Sequence, residues 1–296
     1  MNKENAKISK KIYAFTRNLL TRFSPKVATK IMYRISTGKK LDLKNPKDFN
    51  QKIMWLKLNT YYKNPLITQC ADKYAVRKYI EENGCGKILN RLIGVYDTTN
   101  QIEWESLPKK FVLKCNHGCG MNIICDNKDK ANKNEILRKL DIWMKEDYYL
   151  DHAEVNYKYI KKKIICEEYL QSKEGFLPND YKIYCFNGEP KIVLVCYERD
   201  INLQLQFLDL DWKKTRIGKG EFDKNINIPK PKTFDTMIEY SKKLSKGFPF
   251  VRMDFYEIDD KVIFGEMTFT PAGGLANYYS QYGLKFLGNQ LHLPIK

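Results

Sequence analysis

Residues 250–268 read FVRMDFYEIDDKVIFGEMT, in which acidic residues are spaced along apolar runs. The two runs, 250–258 and 261–267, are joined by the pair Asp259-Asp260. Runs of this length and composition, separated by two polar residues, are typical of a β-hairpin with a short turn. The sequence therefore predicts an antiparallel pair of strands in this part of the chain.

The predicted hairpin brings two carboxylates together. Asp254 and Glu266 would lie side by side near one end of its strands, with Thr268 just beyond them. Two carboxylates and a hydroxyl suit a hard divalent cation that keeps open positions for phosphate oxygens. The pair Gly273-Gly274 follows and permits close approach of a substrate to the backbone. The segment therefore predicts a metal site that serves a nucleotide.

The composition is that of a globular protein. The chain has 296 residues, of which 43% are hydrophobic, enough for one large domain or two to three small ones. No apolar run approaches the roughly 20 residues that a membrane-spanning helix needs. The first residues are rich in lysine and lack the apolar core of a secretory signal, so we expect a cytoplasmic protein.

The formal net charge is +17, from 52 Lys and Arg against 35 Asp and Glu. This excess indicates either the solvated surface of a lysine-rich protein or an anionic partner, such as a nucleotide, an acidic sugar polymer or a lipid phosphate. Nothing in the chain resembles an RNA- or DNA-binding module, so nucleic acid is not an expected partner.

Eight cysteines are scattered along the chain, and without an export signal we expect reduced thiols rather than disulfides. Cys115, His117, Cys119 and Cys125 form a local cluster. A structural zinc site needs a second pair of ligands at the usual spacing, and none follows here. The sequence therefore does not favour zinc.

Residues 7–35 have a helical and basic pattern, with apolar side chains such as Ile12 and Phe23 on one face. Pro25 after Ser24 predicts the start of a second helix. Such an amphipathic segment either packs on the protein core or docks on an anionic membrane surface. The sequence leaves both interpretations open.

Apolar periodicity and turn residues predict the remaining elements. Helices are expected at 49–58, 72–83, 131–147 and 234–247. Strands are expected at 88–96, 111–115, 121–125, 163–167, 180–187, 191–198 and 204–210, besides the hairpin. Strands outnumber helices and pair with near neighbours, so the predicted fold class is α+β with mainly antiparallel sheets.

A glycine-containing loop, residues 116–120, joins two of the predicted strands. Gly118 and Gly120 let the backbone turn tightly and point its N–H groups at an anion. Lys114, at the end of the preceding strand, can hold a phosphate as a point charge. The loop matches neither the P-loop nor the G-x-G-x-x-G pattern, so alone it is weak support for phosphate binding.

Two other polar groups lie near the ends of predicted strands. Glu167 to Leu170 either forms a linker that presents backbone groups to an adenine edge or ends its strand in a solvated turn. Asp180 and Lys182 point to one face because the period of a strand is two. They form a plain salt bridge or serve a ribose hydroxyl and a phosphoryl group, and Arg199 ends the second strand of the same hairpin.

The order of these motifs, from the lysine with its glycine loop to the final glycine pair, resembles the ATP-grasp superfamily. The resemblance is to its TupA-like branch, which is associated with teichuronopeptide and with capsular or O-antigen polysaccharide synthesis. It covers residues 30–296 and is most specific in FVLKCNHG and GEMTFTPAGG. The other matching stretches are DLKNPKDFNQKIMWLK, DKYAVRKY, EEYL, DYKIYCFNGEPK and VRMDFYEIDDKVIF.

The resemblance implies an ATP-grasp fold, in which ATP binds between two α+β subdomains after a helical N-terminal segment. The expected divisions are an N-terminal helical segment at 1–60, a region preceding the ATP-grasp fold at 61–108, a lid subdomain at 109–170 and a metal-binding subdomain at 171–296.

The resemblance also implies roles for individual residues. The residues expected to bind ATP are Lys114, His117, Gly118, Gly120, Glu167, Glu168, Tyr169, Leu170 and Asp180. Those expected to act on the transferred phosphoryl group are Lys182, Arg199 and Arg252. Asp254, Glu266 and Thr268 are the expected magnesium ligands, and Thr270, Gly273 and Gly274 are expected at the substrate. Many ATP-grasp enzymes carry Asn where this chain has Thr268, which offers a weaker oxygen ligand.

The implied function is that of an ATP- and Mg²⁺-dependent carboxylate–amine ligase in surface polysaccharide synthesis. Its expected partners are an acidic sugar or glycan and an amine, with peripheral contact with an anionic membrane as a further option. One alternative is a glycosyltransferase, for which Asp209-Leu210-Asp211 is the only formal D-x-D match. Another is a non-enzymatic protein that binds anionic polymer or lipid. The oligomeric state stays open.

Overall fold

A computed structural model describes residues 3–172, 175, 177–199, 202–222 and 226–294, with the backbone alone for residues 3–11. Nine helices lie in this part of the chain. They are α1 (Lys3–Phe23), α2 (Pro25–Thr37), α3 (Phe49–Leu58), α4 (Pro65–Ala71), α5 (Val76–Glu82), α6 (Lys133–Lys145), α7 (Tyr149–His152), α8 (Phe234–Ser245) and α9 (Gln281–Gln290).

The smaller of two antiparallel sheets has four strands in the order β1-β4-β2-β3. These strands are β1 (Leu92–Tyr96), β2 (Phe111–Cys115), β3 (Asn122–Cys125) and β4 (Ile164–Glu168). Phe111, Leu113 and Cys115 alternate towards a small core, which Leu140 of α6 completes. The opposite side chains of β2, including Lys114, are left partly exposed. The period-two pattern of β2 therefore gives this sheet one buried and one partly exposed face.

The larger sheet has five strands in the order β7-β6-β5-β8-β9. These strands are β5 (Asp180–Phe186), β6 (Glu189–Tyr197), β7 (Gln204–Leu208), β8 (Phe250–Ile258) and β9 (Lys261–Thr268). Val251, Met253 and Phe255 of β8 are fully buried in the main core, which also takes Phe49 of α3 and Phe234 of α8. Alternate residues of β8 therefore lie on the other face of the sheet.

The helices α1 and α2 are joined at Ser24, whose side chain accepts a hydrogen bond from the N–H of Val27. Pro25 is the first residue of α2, as predicted, and Gly38 ends the helix in a left-handed conformation. Arg17 pairs with Asp151, which fastens α1 to the body of the protein. None of the helices in the described part of the chain has the length and apolarity that crossing a bilayer requires.

The predicted fold class, α+β with antiparallel sheets, is confirmed. Helix α3 and strand β2 have the predicted bounds. The helix expected at 72–83 was wrong in extent, because α5 begins only at Val76. The Asp72 carboxylate instead accepts from the N–H groups of Tyr74 and Ala75 and from Asn116. The sequence analysis also missed α4, α7 and α9.

Candidate active site

Strands β8 and β9 form the predicted hairpin, and Asp254 lies directly opposite Glu266. Near the turn Ile258 pairs with Lys261, and uninterrupted pairing from there would set Asp254 against Gly265. A β-bulge at Gly265 instead adds one residue to β9. Because side chains alternate between the faces of a sheet, this extra residue turns Glu266 to the face that carries Asp254.

Arg252 connects the predicted metal ligands. Its Nε and Nη2 donate to the two carboxylate oxygens of Asp254, each at 2.6 Å, in a bidentate pair. The same Nη2 lies 3.2 Å from Glu266 Oε1 and 3.0 Å from Thr268 Oγ1. Thr268 donates in turn to Glu266 at 3.1 Å. The guanidinium therefore supplies, at all three side chains, the positive charge that a metal ion would bring.

Lys182 lies on the neighbouring strand β5, opposite Asp254. Its Nζ donates to Asp254 Oδ2 at 2.7 Å and also to Asp180 Oδ2. Asp180 is buried, and no described group pairs with its Oδ1. Burial raises the pKa of the Asp254 carboxyl, and the charges of Arg252 and Lys182 oppose that rise. The face thus carries a dense, largely neutralised network.

Glu266 lies at the edge of this network, where a further cation faces it. Burial would raise the pKa of its carboxyl, but the positive charges of Lys73 and Arg252 outweigh burial and lower the pKa to about 2. Glu266 is therefore an anion throughout the physiological range. A permanently charged carboxylate is what a hard cation requires.

Lys73 belongs to the segment before α5 and holds the glycine loop. Its backbone N–H donates to Asn116 O at 3.3 Å, and its Nζ donates to Gly118 O. Asn116 is fixed further, since its amide donates to Asp72 and to Lys161 O, at 2.8 and 3.0 Å. The loop is thus fastened at its base, while Gly120 has open space around it.

His117 points away from the loop. It is 2% exposed, and its Nε2 lies 3.1 Å from Trp143 O of α6. Burial lowers the pKa of the imidazole to about 4. A Cβ on Gly118 would lie 2.8 Å from the sulfur of Met121, so a side chain does not fit there. These two residues shape the loop from behind.

Lys114 and Glu167 lie on adjacent strands of the smaller sheet. The Lys114 Nζ donates to Glu167 Oε2 at 2.6 Å. Arg77 of α5 reaches Glu167 Oε1 at 3.5 Å, and it also donates to Asn90 O at 2.9 Å. Glu167 therefore orients two cations at the cavity wall instead of lying in an extended linker.

The last residue of β4 and the two residues after it border a second, narrower cavity. Glu168, Tyr169 and Leu170 line it together with Tyr256 and Arg199. The Arg199 guanidinium lies 5.8 Å from the centroid of the Tyr256 ring, in a cation–π contact. An aromatic ring, an aliphatic side chain and a strand end form a slot of the kind that a flat base prefers.

The predicted substrate residues lie behind the hairpin. Thr270 is buried and donates to the carboxylate of Glu154. Gly273 has a φ of +64°, and a Cβ there would lie 2.5 Å from the His152 ring. Its carbonyl accepts from Lys57 at 3.1 Å, and burial lowers the pKa of that lysine to about 8. These contacts indicate a structural role for the segment.

One cavity of about 300 Å³ unites residues from both sheets. The predicted residues that line it are Lys114, Gly120, Glu167, Asp180, Lys182, Arg199, Asp254 and Glu266. Glu168, Tyr169 and Leu170 line the adjoining cavity. Arg252 and Thr268 touch the lining through hydrogen bonds. In the described part of the chain, the predicted residues that line neither cavity are His117, Gly118, Arg252, Thr268, Thr270, Gly273 and Gly274.

Comparison with protein families agrees with this geometry. Residues 51–292 match the family model for the TupA-like ATPgrasp proteins, which is most of the chain. The chain belongs to the TupA-like ATP-grasp family. Family membership confirms the resemblance seen in the sequence and identifies the α+β architecture as an ATP-grasp fold. No curated protein matches the chain.

Several solved structures are similar to this ATP-grasp protein, at low identity. D-alanine–D-alanine ligase from Helicobacter pylori is 16% identical, with a TM-score of 0.48, over 82% of this chain and 69% of that one. The ligase from Bacillus anthracis, complexed with ATP, is 14% identical, with a TM-score of 0.39, over 68% and 53%. The ATP-grasp ligase PsnB, complexed with a precursor variant, Mg and ADP, is 13% identical, with a TM-score of 0.41, over 81% and 65%. This chain thus spans about half of the Bacillus anthracis ligase.

Sequence reasoning on this ATP-grasp chain missed several residues of the cavity wall. They are Lys73, Arg77, Leu89, Asn90, Asn122, Tyr256, Phe264 and Gly265, besides Cys119 within the predicted loop. Tyr256 had a signal, since a residue two after Asp254 lies on the same face of a strand. Lys73 and Arg77 lie in the stretch DKYAVRKY, which matched the family without indicating a contact with the distant hairpin.

The residues present fit a magnesium ion bound together with a nucleotide. In the part of the chain that the structure describes, no three His, Cys, Asp or Glu side chains are grouped to hold a metal by themselves. Mg²⁺ is usually bound by one or two carboxylates and by substrate phosphates. Asp254 and Glu266 are therefore enough protein ligands for an ion whose other ligands come from the nucleotide. The unpaired Oδ1 of Asp180 adds a buried acceptor on the same wall.

Proposed function

We propose that the protein is an ATP- and Mg²⁺-dependent carboxylate–amine ligase that forms an amide on an acidic sugar or glycan. One observation carries the proposal. Asp254 and Glu266, paired across a hairpin, share a cavity with Lys73, Lys114 and Lys182, which come from three other parts of the chain. Adjacent carboxylates opposed by several cations suit a metal-bound triphosphate.

The nucleotide is proposed to lie along both cavities. Its base occupies the slot beside Tyr169 and Leu170, and its ribose lies near Asp180. Lys114, held in place by Glu167, contacts the phosphates, and the backbone around Gly120 closes over them. His117 and Gly118 support this loop from behind, on the side away from the cavity, and neither lines the cavity.

Magnesium is proposed to be held by Asp254 and Glu266, with Thr268 as a weaker third ligand. The ion supplies charge neutralisation to the phosphate oxygens. Arg252, which pairs with both carboxylates, would lie beside the bound ion and face the transferred phosphoryl group. Lys182 keeps its contact with Asp180 and so stays at the cavity wall.

The reaction is proposed to run in two steps. A carboxylate oxygen of the acceptor takes the terminal phosphoryl group of ATP, and ADP leaves. An amine then attacks the acyl carbon, phosphate leaves, and the amine nitrogen loses a proton. Phosphoryl transfer needs mainly positioning and neutralised charge, which Lys182, Arg199 and Arg252 provide.

The acceptor is proposed to be anionic, and the net charge of +17 supports this. A carboxylate that enters the cavity meets Lys73, Lys182 and Arg199. The segment with Thr270, Gly273 and Gly274 lines neither cavity, and its contacts with Glu154 and Lys57 fix the chain just after the hairpin. We place the reaction in surface polysaccharide synthesis, at the inner face of an anionic membrane.

A screen of phosphate release tests the proposal. Purified protein is supplied with ATP and Mg²⁺ and with candidate uronic acids and amines, singly and in pairs. We expect rapid release only with one combination of acid and amine, which identifies both substrates. Release that ignores the acid, or a product without an amide by mass spectrometry, contradicts the ligase.

The glycosyltransferase alternative finds less support. Asp209 and Asp211, the only D-x-D match, lie in the turn after β7, where Asp211 is 80% exposed and 3.9 Å from Lys213. Neither lines the cavity that holds Asp254 and Glu266. Thermal stabilisation by UDP-sugars but not by ATP is the result that favours the glycosyltransferase.

A further inference from the structure

Helix α1 presents an apolar stripe to solvent. Ile12, Phe15, Leu19 and Phe23 recur every three or four residues, and their exposed fractions are 61%, 70%, 46% and 83%. Residues at this spacing share one side of a helix. Four large apolar side chains on one exposed face exceed the scattered apolar residues of an ordinary surface.

Helix α2 carries a second exposed stripe. Val27, Ile31 and Ile35 lie four residues apart and are 45%, 39% and 62% exposed. The opposite side of this helix is the one that packs on the protein, through Ala28 and Met32. The exposed stripe is therefore separate from the face by which α2 packs on the protein.

Helix α1 is anchored to the body of the protein by three contacts with residues 147–151. On α1, Arg17 pairs with Asp151, and Arg22 reaches Asp147 at 3.5 Å. Thr21 is buried and donates to Leu150 O at 3.5 Å. These contacts fix the helix with its apolar stripe directed away from the body.

A basic cavity of about 570 Å³ lies beside the α2 stripe. Lys26 and Lys30, each next to a stripe residue in sequence, form one wall, and Lys40 and Lys44 come from the loop after α2. Asp42 of the same loop also lines the cavity, and its carboxylate accepts from the backbone N–H groups of Lys44 and Asn45. Trp55 of α3 adds an aromatic surface. Within the described residues, none of the four ammonium groups is held in an ion pair. The volume suits a headgroup that carries one phosphate.

Charge decides between a membrane and a second copy of the chain. Residues 12–47 contain nine Lys and Arg and one acidic residue, Asp42. Two such surfaces would repel each other, whereas an anionic bilayer attracts each cation and accepts the apolar stripes. Lysine side chains reach the headgroup level while their stems follow the apolar surface.

We infer that α1 and α2 dock the protein on an anionic bilayer, with the stripes in the acyl boundary and a lipid phosphate between Lys26, Lys30, Lys40 and Lys44. This inference deepens the proposed membrane location and rests on that part of the proposed function alone. It turns a general attraction into a phosphate site, because the four lysines enclose a cavity rather than lying on a flat surface.

Vesicle co-sedimentation tests the inference. The full chain is mixed with phosphatidylcholine vesicles that contain or lack phosphatidylglycerol. We expect binding only with phosphatidylglycerol, and binding that fades as salt is raised. Equal binding to both kinds of vesicle overturns the phosphate site.

Matched variants separate the cavity from net charge. Lys40→Gln with Lys44→Gln should weaken binding about thirtyfold, at about 1 kcal/mol for each lysine. Lys242→Gln with Lys246→Gln, exposed on and just after α8, removes the same charge and should change binding less than about threefold. Equal losses in the two pairs would show attraction without a site.

The stripes are tested by Phe15→Ser with Phe23→Ser, which should weaken binding about a hundredfold. Both side chains are exposed, so thermal stability should be unchanged. A different outcome is a dimer that sedimentation detects without lipid and that is absent in this variant. If the unsubstituted chain also fails to bind vesicles, a second copy of the chain covers the stripes. Asp254→Asn should keep vesicle binding, so loss of ligase activity and loss of docking are distinguishable.

Discussion

Asp254 on the five-stranded sheet and Lys114 on the four-stranded sheet both line the cavity, but they differ in burial and in the number of their charge partners. Asp254 is 2% exposed and is held by Arg252 and Lys182. On the smaller sheet Lys114 is 25% exposed and has Glu167 as its partner. The Asp254 carboxylate is therefore fixed by two cations, whereas the Lys114 ammonium keeps one side open to a ligand.

This difference assigns the two sheets different tasks. Buried charges with several partners are costly to disturb, so the larger sheet holds a fixed geometry at the proposed metal site. The smaller sheet has its own small core around Phe111 and a loop with open space at Gly120. It is the side that can adjust to the nucleotide.

Asp254→Asn breaks the larger sheet's network and should have the largest effect. It removes a charge that Arg252 and Lys182 share, and with it the main proposed ligand of the metal. We expect turnover to fall at least about a hundredfold, because electrostatic stabilisation of phosphoryl transfer is lost. Coupled ADP release with the substrates from the screen measures it.

Asp260→Asn is the matched control, since this exposed carboxylate lies in the turn of the same hairpin and pairs only with Lys232 among the described residues. It should keep full turnover. Near-normal turnover in Asp254→Asn would remove the metal assignment.

Lys114→Met tests the open side of the comparison and should have an intermediate effect. The variant keeps most of the side-chain volume and removes one proposed phosphate contact. We expect the KM for ATP to rise about tenfold while kcat changes less, since the carboxylate pair is untouched. Lys109→Met, an exposed lysine just before β2, is the control. A fall in kcat with an unchanged KM would place Lys114 at the chemical step instead.

His117 sharpens the comparison through pH, with the smallest effect. Burial lowers the pKa of its imidazole to about 4. The unfolded chain binds this proton near the ordinary pKa of 6.5, so the stabilisation is complete above that pH and is lost as the pH falls towards 4. Between about pH 7 and pH 6 we expect the free energy of unfolding to drop by roughly 1 kcal/mol.

Urea denaturation across this range measures the slope, and His117→Gln should flatten it. Equal slopes in the two proteins would show that other groups cause the acid sensitivity. ATP affinity should barely change in this variant if His117 supports the loop only from behind.

The sequence predicted local pairings well and distant ones poorly. The turn at Asp259-Asp260 and the bounds of β2 follow from patterns within a few residues. The contact between Lys73 and the glycine loop joins segments more than 40 residues apart, and no local pattern encodes it. Arg252 was expected to face a phosphoryl group, but its use as a charge partner for three side chains depends on strand register.

The bulge at Gly265 decides on which side of the sheet Glu266 lies. Without it, Glu266 would stand opposite Met253, on the side that carries Val251 and Phe255 in the apolar core. The site therefore depends on the number of residues between the turn and Glu266 as much as on the residue types, because one residue more or less moves a side chain to the other face of the sheet. Deleting a single codon here would leave every functional side chain in the gene and still dismantle the pair.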